Sequence, residues 1–198
     1  MKGLVACLLV ACSSAGSPPP RVPAPPTPWP VPDGWKHELI AFPLGFAPSL
    51  AHDGVEEIRF APGFFQPAAP GYWSYAFVWR LDNVPAFDAS TVAAELTTYF
   101  RGLVDAVDET DEIADRESIV VRAKPEQAHL ALAAHVIDAF ASKLPVELVG
   151  TASQIVCPRG ALWVFSFAPE RSALTAEVAA LAARAACDQP TVPNAPRP

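Results

Sequence analysis

The side chains that most often perform catalysis are scattered along this chain without a recognised spacing. Four histidines are present, at positions 37, 52, 129 and 135. None belongs to a His-Glu-x-x-His sequence and no Cys-x-x-Cys pair accompanies them, so the sequence predicts no zinc site. There is no Gly-x-Ser-x-Gly sequence, and Ser74 lies within a predicted strand rather than at a strand-to-helix turn. We therefore assign no catalytic residue, metal ligand or cofactor from the sequence.

The acidic residues are better explained by exposure to solvent than by acid–base or calcium chemistry. Glu56 and Glu57 are adjacent in a predicted strand, so their side chains point to opposite faces and cannot form a catalytic pair. Arg59 shares a face with Glu57, which predicts a surface ion pair. The acidic run from Asp105 to Glu117 lacks the glycine-centred loop of an EF-hand, and we interpret it as a solvated helix end and loop.

Aromatic residues offer the clearest indication of a binding function. The chain contains 5 tryptophans, 3 tyrosines and 11 phenylalanines. Phe64 and Phe65 lie in a loop bounded by proline and glycine, and Trp73 and Tyr75 follow shortly after it. An exposed aromatic loop suits binding of a sugar, a peptide or a lipid, so these four residues are candidate ligand contacts. The alternative is that they are core residues of a sheet covered by helices.

Hydrophobic periodicity predicts the elements that would position these residues. Strands are expected at 36–42, 55–61, 72–81, 127–140, 145–157 and 161–167, with a further short branched run at 119–123. The segment 127–140 also suits a helix, but its place before a β-rich stretch favours a strand. One helix should follow a cap at Asp88 or Ser90, and a last helix should cover 170–186.

The order of these elements predicts an α+β fold, with an antiparallel sheet of about six strands and two helices packed on it. Strict alternation from Tyr72 to Leu81 indicates one heavily buried face, on which the first helix should lie. Trp163, Phe165 and Phe167 share a second aromatic face, which we expect the last helix to cover.

After its N-terminus, the chain divides into a proline-rich segment, a single domain and a C-terminal tail. Nine prolines occur between residues 12 and 33, so this segment should be an extended, disordered stalk without helix or sheet. The α+β domain is predicted at 34–187. Residues 188–198 contain four prolines and should form a disordered tail.

The N-terminus has the layout of an export signal. Lys2 precedes a short apolar run that is too brief for a membrane-spanning helix. Leu9-Val10-Ala11-Cys12 resembles the lipobox of bacterial lipoproteins, in which the cysteine receives lipid. The resemblance implies that residues 1–11 are a signal peptide and that Cys12 is lipidated. It also implies export and anchoring to a membrane, with the outer membrane favoured because Ser13 is not aspartate. The alternative is an ordinary signal peptide cut near Gly16.

The cysteine count then suggests one disulfide. Cys7 would leave with the signal peptide and Cys12 would carry lipid, which leaves Cys157 and Cys187 in an oxidising compartment. We expect these two to form a disulfide between the last helix and the edge of the sheet; the alternative is two buried free thiols.

Several segments resemble a motif set of uncharacterised bacterial secreted proteins. These segments are Phe42-Pro43-Leu44, Phe46-Ala47-Pro48, the stretch from Glu56 to Gly63, the stretch from Tyr72 to Tyr75, and the stretch from His135 to Phe140. The resemblance extends towards Cys187. It supports the fold and implies no reaction.

The net charge of the chain bears on the class of partner that it could bind. Loss of Lys2 with the signal peptide would leave 13 basic and 21 acidic residues, a net charge of −8, so a nucleic acid partner is disfavoured. The sequence therefore favours a lipid-anchored cell-envelope protein with a non-catalytic binding or accessory domain. Its partners would be the membrane, through the lipid, and an envelope protein or a glycan or lipid ligand. The alternative is an envelope hydrolase whose catalytic residues come from scattered loops.

Overall fold

The structure, a computed structural model, describes residues 29–108, 112–113 and 115–187. It contains one antiparallel sheet of seven strands and two α-helices, which confirms the predicted α+β class. The predicted signal peptide, Cys12, most of the predicted stalk and the predicted tail lie outside the described residues. The strands are β1 (Lys36–Ala41), β2 (Gly54–Phe60), β3 (Tyr75–Leu81), β4 (Val120–Glu126), β5 (His129–Ile137), β6 (Pro145–Val156) and β7 (Ala161–Pro169). The helices are α1 (Ala89–Val107) and α2 (Thr175–Ala182).

Two antiparallel meanders make up the sheet, and they meet at its centre. The strand order is β1-β2-β3-β7-β6-β5-β4, so β3 and β7 join the first three strands to the last four. The predicted short run at 119–123 becomes the full strand β4, paired with β5, which raises the predicted count of about six strands to seven. The segment 127–140 is a strand, as predicted, over His129–Ile137.

The central strands are buried on both faces, whereas the sequence predicted one heavily buried face. All seven residues of β3 are buried. The aromatic residues of β3 pack beneath α1, while Ala76 and Val78 on the other face pack beneath α2. The predicted alternation is present, but Ala76 and Val78 make the second face of β3 apolar enough to pack beneath a helix as well.

The last helix does not cover the aromatic face of β7, as the sequence predicted, but the opposite face. Trp163, Phe165 and Phe167 face α1, and α2 covers Leu162 and Val164 instead. The physical reason is register, because the aromatic residues of β7 lie directly opposite those of β3 and must share their face.

The bounds of the helices follow from local hydrogen bonding. The Asp88 side chain accepts hydrogen bonds from the backbone N–H groups of Ser90 and Thr91, each at 3.0 Å, and so begins α1 as predicted. Helix α2 is shorter than the predicted 170–186. A turn precedes it, in which the Ser172 N–H donates to the Pro169 carbonyl at 2.8 Å and the Ser172 hydroxyl accepts from the Leu174 N–H at 3.1 Å.

The folded unit includes Trp29, five residues before the predicted boundary at Gly34. The Trp29 side chain is only 1% exposed, and its indole N–H donates to the Leu181 carbonyl at 2.8 Å. Arg59 donates to the carbonyls of Trp29 at 2.8 Å and Pro30 at 3.2 Å. The sequence prediction failed here because a proline-rich segment with no helix or strand can still be bound through its carbonyls and one large aromatic ring.

The predicted surface pair of Glu57 and Arg59 is in fact buried. Glu57 is 2% exposed and Arg59 is 0% exposed. The Glu57 carboxylate accepts hydrogen bonds from Arg59, at 3.1 Å, and from Arg80. Arg80 also donates to the Ala186 carbonyl at 2.9 Å. The segment at Trp29 and the segment after α2 both cover this ion cluster, and neither contact is visible in the local sequence.

The predicted disulfide between Cys157 and Cys187 is present. Its Cα atoms are 5.5 Å apart, within the range of native bridges. It links the end of β6 to the segment that follows α2, beside the Ala186 carbonyl held by Arg80.

We expect Trp29→Ala to lower the free energy of unfolding by about 3 to 5 kcal/mol, because it removes a buried indole and its hydrogen bond. Urea denaturation measures the change. Val31→Ala is the matched control, since Val31 is 39% exposed in the same segment and its loss should change stability by less than about 0.5 kcal/mol. Equal, small effects of both substitutions would show that the segment at Trp29 does not belong to the folded unit.

Candidate functional site

A pocket of about 200 Å³ lies between α1 and the aromatic face of strands β1 to β3. Strand residues form its floor, α1 forms one wall, and the loop after β2 and the turn after β5 form the rest. We call this site the aromatic pocket. Its described lining residues are Glu38, Ile40, Phe46, Ile58, Phe60, Phe64, Phe65, Trp73, Tyr75, Tyr99, Leu103 and Phe140.

All four residues that the sequence singled out as candidate ligand contacts line the aromatic pocket. Phe64, Trp73 and Tyr75 are at most 4% exposed, whereas Phe65 is 38% exposed at the rim. The sequence left two interpretations of these residues, as core residues or as ligand contacts. The two do not exclude each other, because three of the side chains belong to the core and also line the pocket. Ligand contact by these residues stays a prediction.

The loop between β2 and β3 positions Phe64 and Trp73 through its own backbone. The Phe64 N–H donates to the Ala61 carbonyl at 3.1 Å, and the Trp73 N–H donates to the Phe64 carbonyl at 3.2 Å. Gly63 has φ +83°, and a Cβ atom at this position would lie 2.5 Å from the Cβ of Ala69, so only glycine fits this turn.

Trp73 has a backbone conformation that tryptophan rarely adopts. Its φ of 49° lies in the left-handed region, which is unfavourable for a bulky side chain. This turn is also why β3 begins at Tyr75 rather than at the predicted Tyr72. Residues in such conformations persist only where surrounding contacts hold them, and they cluster at functional sites.

Aromatic rings meet edge to face around the pocket. The Phe64 ring centroid lies 4.8 Å from that of Phe65, with the planes at 84°. Phe65 in turn lies 5.2 Å from Phe140, at 74°. On the other side, Phe46 and Tyr99 are 5.1 Å apart at 81°. The rim is therefore a pair of half-exposed phenylalanines, Phe65 and Phe140, above a buried aromatic interior.

Sequence reasoning missed the contributions from remote parts of the chain. Tyr99 lies three residues after Leu96 on the buried stripe of α1. This i, i+3 spacing places the two side chains on one face of a helix and could have identified Tyr99 from the sequence. Phe46 and Phe140 lie in loops, and no local pattern connects either with the turn at Phe64. Only the fold brings them together.

Glu56 is a fully buried carboxyl group beside the aromatic pocket, opposite Ile40 in the β1–β2 register. Its Oε1 accepts a hydrogen bond from the Trp79 indole N–H at 3.0 Å. Burial raises the pKa of Glu56 to about 7, although hydrogen bonds from Trp79 and Tyr99 lower it, and the negative charge of Glu38 raises it slightly further. Glu56 is therefore partly protonated at neutral pH.

Two buried polar atoms in this region have no hydrogen-bond partner among the described residues. They are Oε2 of Glu56 and the hydroxyl of Tyr75. Burial raises the pKa of Tyr75 well above its ordinary value, and the nearby Glu56 charge raises it further, so its hydroxyl keeps its proton. An unsatisfied buried hydroxyl is unfavourable.

The other residues weighed for chemistry have structural contacts. His52 is 8% exposed, its Nε2 lies 2.7 Å from Oε2 of Glu95, and its ring packs 5.6 Å from that of Phe42. Ser74 is buried, with its hydroxyl 3.1 Å from that of Ser172. Within the described ranges, no three His, Cys, Asp or Glu side chains lie close enough to hold a metal ion.

Among the described helices, neither is both long enough and apolar enough to cross a bilayer. Comparison of the chain with protein-family models, curated proteins and solved structures finds no match. Function must therefore be inferred from the chemistry of the aromatic pocket.

Glu56→Gln should change how stability depends on pH. In the wild-type protein the folded-state pKa of Glu56 lies above the model-compound value of 4.5, at about 7, so the stability that this group contributes is fully present below pH 4.5 and is lost as pH rises through 7. The loss is on the order of 3 kcal/mol. The variant cannot ionise at this position, so its free energy of unfolding should rise relative to wild type across that interval, as measured by urea denaturation at several pH values. Glu126→Gln, at an exposed position, is the control and should follow the wild-type curve. Parallel curves for wild type and Glu56→Gln would contradict the raised pKa.

Proposed function

We propose that this protein is a non-catalytic binding protein of the cell envelope, which holds a small apolar group of its ligand in the aromatic pocket. The observation that carries the proposal is the meeting of Phe64, Phe65, Trp73 and Tyr75 around one pocket with an open aromatic rim. Buried pockets with mostly apolar linings and a few polar groups are the usual form of a small-molecule site.

The volume of the pocket limits what enters it. At about 200 Å³ it is somewhat larger than the roughly 150 Å³ engineered cavity that binds benzene, and smaller than the roughly 300 to 1,000 Å³ of sites for drug-sized ligands. The aromatic pocket therefore suits a group of about one ring or a short branched alkyl group. A larger ligand would insert one end and leave the remainder against the rim at Phe65 and Phe140.

The lining favours binding over hydrolysis. None of the described residues that line the pocket is a serine, cysteine, histidine or aspartate. Its titratable groups are Glu38 at the rim and the hydroxyls of Tyr75 and Tyr99, and both tyrosines have pKa values well above the ordinary range because they are buried. A hydrolase that forms a covalent intermediate needs an activated serine, cysteine or histidine at the ligand, and the described lining contains none of these.

The lipobox-like sequence supports a location at a membrane of the cell envelope. Lipidation at Cys12 would hold the protein at the membrane, because each buried CH₂ contributes about 0.8 kcal/mol and more than one acyl chain inserts. The proline-rich residues that follow Cys12 would space the domain from the membrane surface. The protein would then be exported and anchored by lipid, with the outer membrane as the proposed site.

Binding in the aromatic pocket can be tested with a small neutral ligand. We expect benzyl alcohol to bind the mature chain carrying Cys12→Ser, with shifts of the NMR signals of Phe64 and Trp73. Ile40→Trp should abolish these shifts because the larger side chain fills the pocket that Ile40 lines. Ile155→Trp is the matched control at an exposed position outside the described lining and should bind normally. Equal binding by both variants would place the ligand elsewhere and refute the proposed site.

Anchoring is tested separately by fractionation of bacterial cells that express the whole chain. Cys12→Ser should move the protein from the membrane fraction to the soluble exported fraction, because the acceptor of the lipid is lost. Cys7→Ser is the matched control and should remain in the membrane fraction, since Cys7 lies in the segment removed with the signal peptide. Membrane retention of Cys12→Ser would rule out a lipid anchor at this residue.

A further inference from the structure

We propose that the aromatic pocket is a site for a cationic alkylammonium group, such as a quaternary ammonium, an inference that rests on the proposed binding function and specifies its ligand class. Three features of the pocket favour a cation over a neutral or anionic apolar group: the number of aromatic rings, the sign of the nearby charges, and the orientation of the rings.

Aromatic rings dominate the lining. Eight of the twelve described lining residues are Phe, Tyr or Trp, whereas only three are aliphatic. The face of an aromatic ring carries partial negative charge, which attracts a cation directly, and this attraction is strongest where water is excluded. A pocket that needed to hold only a neutral alkyl group could be lined as well by leucine and isoleucine.

The one charged residue of the described lining is an acid. Glu38 lies at the rim, and no lysine, arginine or histidine occurs among the described lining residues. Glu56 lies beside the pocket, next to Ile40 and hydrogen-bonded to Tyr99. A carboxylate ligand such as a fatty acid would be repelled by Glu38 and by the ionised form of Glu56, whereas a cation would be attracted to them.

Three pairs of lining rings are close to perpendicular, whereas Phe60 and Tyr75 are stacked at 20°. Phe64 and Phe65 are at 84°, Phe65 and Phe140 at 74°, and Phe46 and Tyr99 at 81°. A compact, roughly spherical group can contact several ring faces in such an arrangement, as in the aromatic cages that recognise choline and methylated lysine.

The alkylated form of the cation follows from the mostly apolar lining, whose side-chain oxygens are those of Glu38, Tyr75 and Tyr99. A bare metal ion requires several oxygen ligands, and a primary ammonium requires up to three acceptors. Glu38 is the one carboxylate among the described lining residues. Methyl groups on the nitrogen replace the N–H groups that would need acceptors. They present apolar surface, which the ring faces and Ile58 can contact.

Two ligands of nearly equal shape test the charge requirement. Choline and its neutral carbon isostere, 3,3-dimethylbutan-1-ol, should be titrated by calorimetry into the mature chain carrying Cys12→Ser. We expect choline to bind at least about tenfold more tightly, because only its trimethylammonium group gains the cation–π attraction. If the isostere binds and choline is less than about threefold tighter, the charge requirement is wrong while the binding function stands. If neither ligand and no other small apolar molecule binds, both proposals fail.

Substitutions separate the ring contribution from simple filling of space. Phe65→Leu keeps an apolar side chain at a half-exposed position but removes a ring face, so choline affinity should fall several-fold while the affinity for the isostere stays constant. Phe87→Leu is the control, since Phe87 packs on Trp163 outside the described lining. Glu38→Gln should also weaken choline alone, and more so at low salt. Equal losses for both ligands in Phe65→Leu would contradict the cation–π contribution.

The same chemistry occurs in free ammonium compounds and in lipid headgroups, and vesicles distinguish these sources. Binding to phosphatidylcholine vesicles but not to phosphatidylglycerol vesicles, with release by free tetramethylammonium, would identify a headgroup as the ligand. Choline binding without vesicle binding would identify a free compound. Vesicle binding that tetramethylammonium fails to reverse would place the lipid contact outside the aromatic pocket and would contradict the headgroup assignment.

Discussion

The in-register pairing of β3 with β7 is the interaction on which the rest of this structure depends. Three aromatic pairs lie directly across these two strands: Tyr75 with Phe167, Phe77 with Phe165, and Trp79 with Trp163. Their ring centroids are 5.9, 4.6 and 5.8 Å apart, and each pair is stacked. Cross-strand aromatic pairs of this kind stabilise a sheet beyond the burial of their area. The pairing joins the two meanders and sets which face each helix must cover.

The position of α1 on the aromatic face also explains the pocket. α1 contacts β4 and β5, so it lies towards the second meander. The aromatic face of β1 and β2 is left for other elements to cover, and they do so with Phe46 and with the turn that carries Phe64 and Trp73. Loop side chains cannot fill this space as closely as a helix with a continuous apolar stripe. The remaining space is the aromatic pocket, to which the pairing at the centre of the sheet contributes Tyr75.

Strand β2 places adjacent acids in two different environments. Glu57 faces α2 and forms ion pairs with Arg59 and Arg80, which make its buried charge tolerable. Glu56 faces α1, where Trp79 and Tyr99 supply hydrogen bonds but no positive charge, and its pKa rises to about 7. Through Arg59 and Arg80, the first acid therefore helps to hold the segment at Trp29 and the segment after α2 to the sheet. The second introduces negative charge beside the pocket.

Local patterns in the sequence were sufficient to predict the class of fold, most of the strands, the cap of α1 and the disulfide. The first three depend on residues close in sequence, and the disulfide follows from the small number of cysteines. Local patterns also identified four aromatic residues of the site, from their unusual density near a proline- and glycine-bounded turn. They failed for Trp29 and for Glu57 with Arg59, whose burial depends on segments far away in the chain.

The sequence by itself determined which residues could lie on one face of a strand or helix, since the periods of 2 and 3.6 are properties of the backbone. Only the tertiary structure decided which faces meet. The register of β3 and β7 placed Trp163 and Phe165 under α1 rather than α2, and the packing of remote loops brought Phe46 and Phe140 to the turn at Phe64. Contacts between distant segments depend on the packing of the whole chain, and no local period encodes them.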